Sequence, residues 1–534
     1  MNMRLSREQW IRTGFLLLCC AVMVVSMAVL LNRKEAWFID EYYSYACANH
    51  EGGRGITFED GKAYTPEEIQ QLARDTYSVP ENGRFRYDVV WKNLAGNVHP
   101  PVFYALLHTV CSLTPGQYSP WQAGIVNLFF GLAGLFFFHK LARGLVRSEW
   151  LAGFMTLAWT CTLGLYGNLT LLRDYAAAAC GVTVSAWTCF RFLRGRRGIR
   201  DLVLMAAASA FAVLCHYYCL IWLFLLCGML CLILAIRKEW KAILRIIAAE
   251  GCAAVAAAAV FPSMVRRIFF SSRSAEAAGN LASTDLGAYG DRLAYFFQAL
   301  QKQFFGNLLW IPGLLLVLFI AAGLVFKKKG ALQQEESGTA SAAEICLLAL
   351  PSLAYFLVTA KIAAYLTSRY MYPVTPVLYL SVAALLFCCC RRLPKRRLFA
   401  AMAVAVLLVA GGLSWTTGSI NWLYIGRDSK IRKKLEPCRG MDAVVIWKNR
   451  NFMSVALPQY EYFRTVTFYN VSPEDVPEDI PVLAEGREAV LLLGMNGEEA
   501  YLERLAELRP EYTAEKLGAL DGQGKFCDYL FVRK

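Results

Sequence analysis

Six junctions crowded with Lys and Arg alternate along this chain with junctions that carry acids, His, Pro and aromatic residues. The basic ones lie at Arg4, Arg7 and Arg12; at Lys140, Arg143 and Arg147; and at 191–200, 237–245, 327–329 and 391–397. Apolar segments of roughly twenty residues run between them, the length that crosses a hydrocarbon core of about 30 Å at about 1.5 Å per helical residue. Basic loops stay cytoplasmic, so the alternation predicts a topology. The N-terminus is inside, and Asp40-Glu41, His99-Pro100-Pro101, Arg173-Asp174-Tyr175 and Arg369-Tyr370 all fall on the extracytoplasmic side.

Counted this way, segments 12–31, 122–138, 150–165, 175–192, 202–217, 220–236, 243–261, 308–326, 345–360, 374–390 and 398–415 read as about eleven spans. An odd number places the chain after residue 415 outside. Segment 101–113 is apolar but only thirteen residues long, short for a span. Were it to cross, Lys140–Arg147 would land outside, so it is expected to lie along the surface or to dip and return. The expected organisation is a multi-span domain, 1–415, with extracytoplasmic segments at 32–120 and 262–305, and then an extracytoplasmic α/β domain, 416–534. In that last part 443–447, 465–469, 489–493 and 529–533 read as strands and 498–508 as a helix. The fold class is therefore predominantly α, a polytopic helical membrane protein with a small C-terminal α/β domain.

Composition agrees, with 57% hydrophobic and 18% charged residues against about 25% charged in an average soluble domain. The formal net charge of +14 would suit nucleic acid, but the basic residues sit in short clusters beside apolar spans. They read as topology signals and contacts with lipid headgroups, and nucleic acid is not an expected partner. The first apolar run lacks a small-residue cleavage site and reads as a signal anchor. Most of the 18 cysteines lie inside spans, where Cys acts as a small hydrophobe. Cys438 and Cys527 are the outward-facing candidates for a disulfide, a pairing that sequence leaves open.

Asp40 and Glu41 follow the first span directly. A carboxylate there suits a general base, or else the pair is a solvated helix end. His99-Pro100-Pro101 opens a short apolar helix, since Pro is favoured in a first helical turn; His99 orients a carboxylate, meets a phosphate or is structural. Arg173 and Arg369 stand at outer junctions where positive-inside statistics disfavour cations, which points to an anionic ligand or an acidic neighbour such as Asp174. Arg266, Arg267 and Arg273 in segment 262–305 are further cationic candidates.

Asp40-Glu41 after span one, the His99-Pro100-Pro101-Val102-Phe103-Tyr104 helix start, Arg173-Asp174-Tyr175 and the late Arg369-Tyr370 pair together resemble the GT-C integral-membrane glycosyltransferases. The likeness is to the branch of the protein O-mannosyltransferases and the lipid A aminoarabinose transferase, over about residues 10–390. It implies a sugar donor linked to polyprenyl phosphate, no nucleotide and no organic cofactor, with a divalent metal left open. Asp40 would be the catalytic base with Glu41 in support, His99 the juxtamembrane histidine and Asp174 the second-loop acid. Arg369 with Tyr370, Arg173 with Tyr175, and Arg266 and Arg267 would bind substrate. The compressed Arg173-Asp174-Tyr175 order and the α/β tail depart from the mannosyltransferase pattern, so the extracytoplasmic acceptor is open. The rival readings are a transporter or flippase of an envelope precursor, disfavoured by the lack of paired discontinuous helices or an internal repeat, and a non-catalytic envelope scaffold.

Overall fold

The computed structural model describes residues 6–329, 340–391 and 393–534. Arg4, Arg392 and the interior of the expected inner loop 327–344 thus lie outside the described residues. The chain divides into two compact units, one of Met1–Val29, Leu94–Phe103 and Gly124–Ile420, the other of Leu30–Asn93, Tyr104–Ala123 and Asn421–Lys534.

The first unit is helical, and the protein is a multi-pass membrane protein. Eight helices among the described residues are long and apolar enough to cross a bilayer: Arg7–Asn32, Pro120–Val146, Tyr175–Leu193, Cys219–Ile236, Trp240–Val260, Trp310–Lys328, Ala342–Ile362 and Arg396–Thr417. Each matches an expected segment. The other three expected segments are not among these eight. Segment 150–165 is broken into Glu149–Thr160 and Leu163–Thr170. The break is a polar one: Thr162 Oγ1 donates to Trp159 O at 2.8 Å, and the Ser414 hydroxyl accepts the Leu163 N–H at 2.8 Å. Side-chain hydroxyls thus take over backbone groups that a continuous helix would have paired. Ile199–Cys215 has 17 residues and Thr375–Cys390 has 16. Helices Tyr175–Leu193 and Ile199–Cys215 pack at Gly181, where an added Cβ would come within 2.8 Å of the Ala212 backbone. Such close approach through a small residue is how membrane helices gain packing without a hydrophobic driving force.

The second unit is built on a six-stranded sheet, with β1 (Ala63–Tyr64), β2 (Asp442–Ile446), β3 (Val466–Tyr469), β4 (Ala489–Gly494), β5 (Tyr512–Gly518) and β6 (Phe526–Arg533), in the order β1-β3-β2-β4-β6-β5. β3, β2 and β4 run parallel; β1, β5 and β6 are antiparallel to their neighbours. The central strands are buried on both faces, which is why they read as unbroken apolar runs. Helix Glu498–Leu508 lays Tyr501 and Leu505 on the core of Val444, Ile446, Leu491 and Leu493. β5 escapes a sequence reading because it is an edge strand whose residues 513–516 are exposed. Cys438 and Cys527 are both free thiols.

Candidate functional site

Four chain segments of the first unit bring their polar residues together. Helix Leu163–Thr170 ends in a turn whose carbonyls need new partners. The buried Asn127 amide supplies them, donating to Leu169 O at 3.0 Å and Leu171 O at 2.6 Å. The turn so held delivers Arg173 and Asp174. Asp174 stands at the N-cap of helix Tyr175–Leu193, yet its carboxylate makes no capping bond. It faces His99 instead, with Oδ2 3.4 Å from Nδ1. The Arg173 guanidinium donates to His99 Nε2 at 2.9 Å. A guanidinium has only donors, so Nε2 holds a lone pair and the ring proton sits on Nδ1, aimed at Asp174.

The third segment is the bend after helix Ile199–Cys215. His216 adopts an extended conformation there, and its Nδ1 accepts the Tyr218 N–H at 3.1 Å. Its ring lies 4.9 Å from that of Tyr175. Burial pushes the His216 imidazole down to about 4; Asp174 opposes this, while His99, Arg173 and Arg369 add to it. Burial alone would raise the Asp174 carboxyl, but His216, His99 and Arg173 outweigh it and hold Asp174 below the usual carboxylate range. The fourth segment is the short 3-10 helix Ser368–Met371. Its Arg369 is buried, stands over the Tyr370 ring at 5.8 Å, and lies within electrostatic reach of Tyr175, His216 and Tyr372. Tyr370 stacks at a tilt on Tyr218, 5.3 Å away. Arg173, His99 and His216 thus act on the Asp174 carboxylate, with Arg369 acting on Tyr175 and His216 beside it, an arrangement that suits an anionic ligand carrying a polar group.

The remaining cations of segment 262–305 lie elsewhere in their bonding. Arg267 donates twice to Ala95 O, at 3.2 and 2.6 Å, closing the end of helix Tyr87–Ala95. Arg273 pairs with Glu276 at 2.7 Å, and Arg266 is exposed.

Asp40 and Glu41 belong to the second unit, in the first turn of helix Ile39–Asn49. They differ sharply. Glu41 is fully buried, accepts the Phe38 N–H at 2.7 Å and pairs with Lys34 at 2.9 Å. Burial lowers the Lys34 pKa against the pull of Glu41. Asp40 is half-buried and close enough to Tyr43 that its charge, after burial, helps push that phenol up to about 12. His216, Asn127 and Lys34 were not singled out from the sequence. His216 carried the one usable signal, a histidine flanked by Tyr217 and Tyr218 at a junction expected to face outside.

No family model matches the chain, and no curated protein matches it. Among solved structures it is similar to ArnT, the lipid A aminoarabinose transferase of Cupriavidus metallidurans, in its undecaprenyl phosphate-bound form, at 14% identity and a TM-score of 0.49 over 97% of this chain and 98% of that one. It is also similar to the Archaeoglobus fulgidus oligosaccharyltransferase tethered to an acceptor peptide, at 10% identity and a TM-score of 0.39 over 93% of this chain and 72% of that one. Both are GT-C membrane glycosyltransferases, the class that the sequence motifs resemble.

Proposed function

We propose that the chain is an integral-membrane glycosyltransferase that moves a sugar from a polyprenyl-phosphate donor to an extracytoplasmic acceptor, with inversion. The observation that carries this reading is the convergence of His99, Arg173, Asp174, His216 and Arg369 from four segments at the ends of apolar helices. A polyprenyl phosphate is an anion anchored at that depth, and planar guanidinium forks suit it. In the reaction the acceptor hydroxyl or amine attacks the anomeric carbon and passes its proton to Asp40. The bond from that carbon to the phosphate oxygen breaks, and polyprenyl phosphate leaves with its charge held by Arg369 and Arg173. Asp174 keeps Arg173 and His99 in register. Glu41, already engaged with Lys34, takes no proton.

The proposed orientation puts the N-terminus in the cytoplasm and the second unit outside. The basic junctions support that orientation; the pairing of β1 with β3 adds that Ala63 and Thr467, neighbours in one sheet, share a side, whichever side it is. Replacing Asp40→Asn tests the reaction. Loss of a general base costs a factor of roughly 10² to 10⁴ in rate, so turnover should fall by that much in a folded, inserted protein. An Asp40→Asn variant working at the parental rate would remove Asp40 from the mechanism.

A further inference from the structure

The helix that carries Asp40 caps itself on one side only: the Glu41 carboxylate reaches back to accept the Phe38 N–H at 2.7 Å. Its N-cap is Phe38, whose side chain carries no acceptor for the Ile39 N–H. The missing acceptor comes from the far end of the chain. Gln523 Oε1 accepts the Ile39 N–H at 3.1 Å, and Gln523 Nε2 donates to Trp37 O at 2.9 Å. One amide thus closes both sides of Phe38, as a neighbouring strand would. The same approach is gripped again upstream. Lys34 donates to Trp422 O, Glu35 N–H donates to Leu423 O at 2.9 Å, and the Glu35 carboxylate accepts the Asp428 N–H at 2.9 Å.

The loop that presents Gln523 is itself rigid. Fully buried Asp521 accepts four backbone N–H groups, those of Gln523 and Gly524 on Oδ1 (3.0 and 2.8 Å) and of Lys525 and Phe526 on Oδ2 (2.6 and 3.0 Å). Gly522 and Gly524 take left-handed φ values of 76° and 63° that let the chain wrap the carboxylate. From Phe526 the chain runs straight into β6, a strand inside the sheet. A rotamer of Gln523 is therefore referred through Asp521 to the sheet.

We propose that Gln523 is a positioning residue for Asp40: the C-terminal segment supplies the cap that sets where the Asp40 helix starts and points. This rests on the reading of Asp40 as the base. The sheet of the C-terminal α/β part, in the same compact unit as Asp40, is then the reference against which the base is aimed.

The test compares Gln523→Leu, which removes both bonds, with Gln523→Glu, which keeps the acceptor for Ile39 N–H and loses the donor to Trp37 O. The full-length protein is assayed in nanodiscs with a total extract of the host envelope, which carries both the lipid-linked sugars as donors and the acceptors, and release of polyprenyl phosphate is the readout. A misplaced catalytic group costs up to about 10²-fold, so Gln523→Leu should lower the maximal rate about 10- to 100-fold while the half-saturating extract concentration stays within about two-fold. Gln523→Glu should recover most of the rate. Hydrogen exchange should quicken at residues 39–42 in Gln523→Leu and stay unchanged in β2 and β4. In an Asp40→Asn background Gln523→Leu should add no further loss, since two residues acting as one unit do not add. Parental rates and exchange in Gln523→Leu would overturn the proposal. A parental rate in Asp40→Asn, with exchange still quickened by Gln523→Leu, would overturn the base assignment alone.

Discussion

Lys34 and Glu41 form an ion pair with no exposed side-chain surface, and each has a second duty, Lys34 on Trp422 O and Glu41 on the Phe38 N–H. Breaking a buried pair from one side leaves a charge without compensation and costs about 3–5 kcal/mol. Lys34→Met and Glu41→Gln should each lower the unfolding temperature markedly, and the double variant should lose less than the sum. Loss of activity in Glu41→Gln would then follow its loss of fold, and thermal scans at matched activity assays separate the two. Asp528 makes the opposite case. It is fully buried in β6; burial first, then the charge of Asp521, raises its carboxyl well above the ordinary value. The folded state holds a proton there that the unfolded chain releases above about pH 4. Stability is therefore complete below that pH and falls as pH rises toward the folded value. Asp528→Asn should stabilise the protein at pH 8 and do little at pH 4, and a pH series of unfolding temperatures checks it. Asp40 and Glu41 are adjacent and chemically alike in sequence. What separates them is which one meets Lys34, and that depends on the turn at residues 33–38.

At the scale of elements, the long apolar helices were legible because twenty-residue hydrophobicity is a local property, and so were the central strands, whose apolar runs record burial on both faces. What escaped was set by partners far away in the chain. The break at Cys161–Thr162 depends on Ser414, and the cap of the Asp40 helix on Gln523, 484 residues from Ile39. Bonds from side chain to distant backbone leave no periodicity to read. β1 is the extreme case, two residues whose strand character comes wholly from β3. That pairing carries a prediction. Cysteines placed at Ala63→Cys and Thr467→Cys, cross-strand neighbours, should form a disulfide on mild oxidation of the membrane-inserted protein, read as a linked peptide by mass spectrometry. Absence of the link, with both sites reactive to a thiol probe, would break the register and the shared side of the two segments.

For the whole molecule, the sheet constrains the membrane count. Seven of the eight long apolar helices lie between Tyr64 and Val466, yet those two residues share a sheet and so share a side. An odd number of the shorter apolar elements must then cross as well. The eleven spans expected from the basic junctions satisfy that parity, with Glu149–Thr170, Ile199–Cys215 and Thr375–Cys390 as the three shorter elements. The transferase reading places a phosphate-binding centre at the outer ends of these helices, built on Arg369 and Arg173. Equilibrium binding to the nanodisc-embedded protein, with undecaprenyl phosphate compared against undecaprenol, tests it without knowledge of the sugar or the acceptor. The account predicts that the phosphate binds and the alcohol does not compete. It further predicts that Arg369→Ala weakens binding at least about ten-fold, about 1.4 kcal/mol, and that Arg369→Lys restores part of it because the charge returns without the planar fork. Equal binding of phosphate and alcohol, or undiminished phosphate binding by Arg369→Ala, would contradict it.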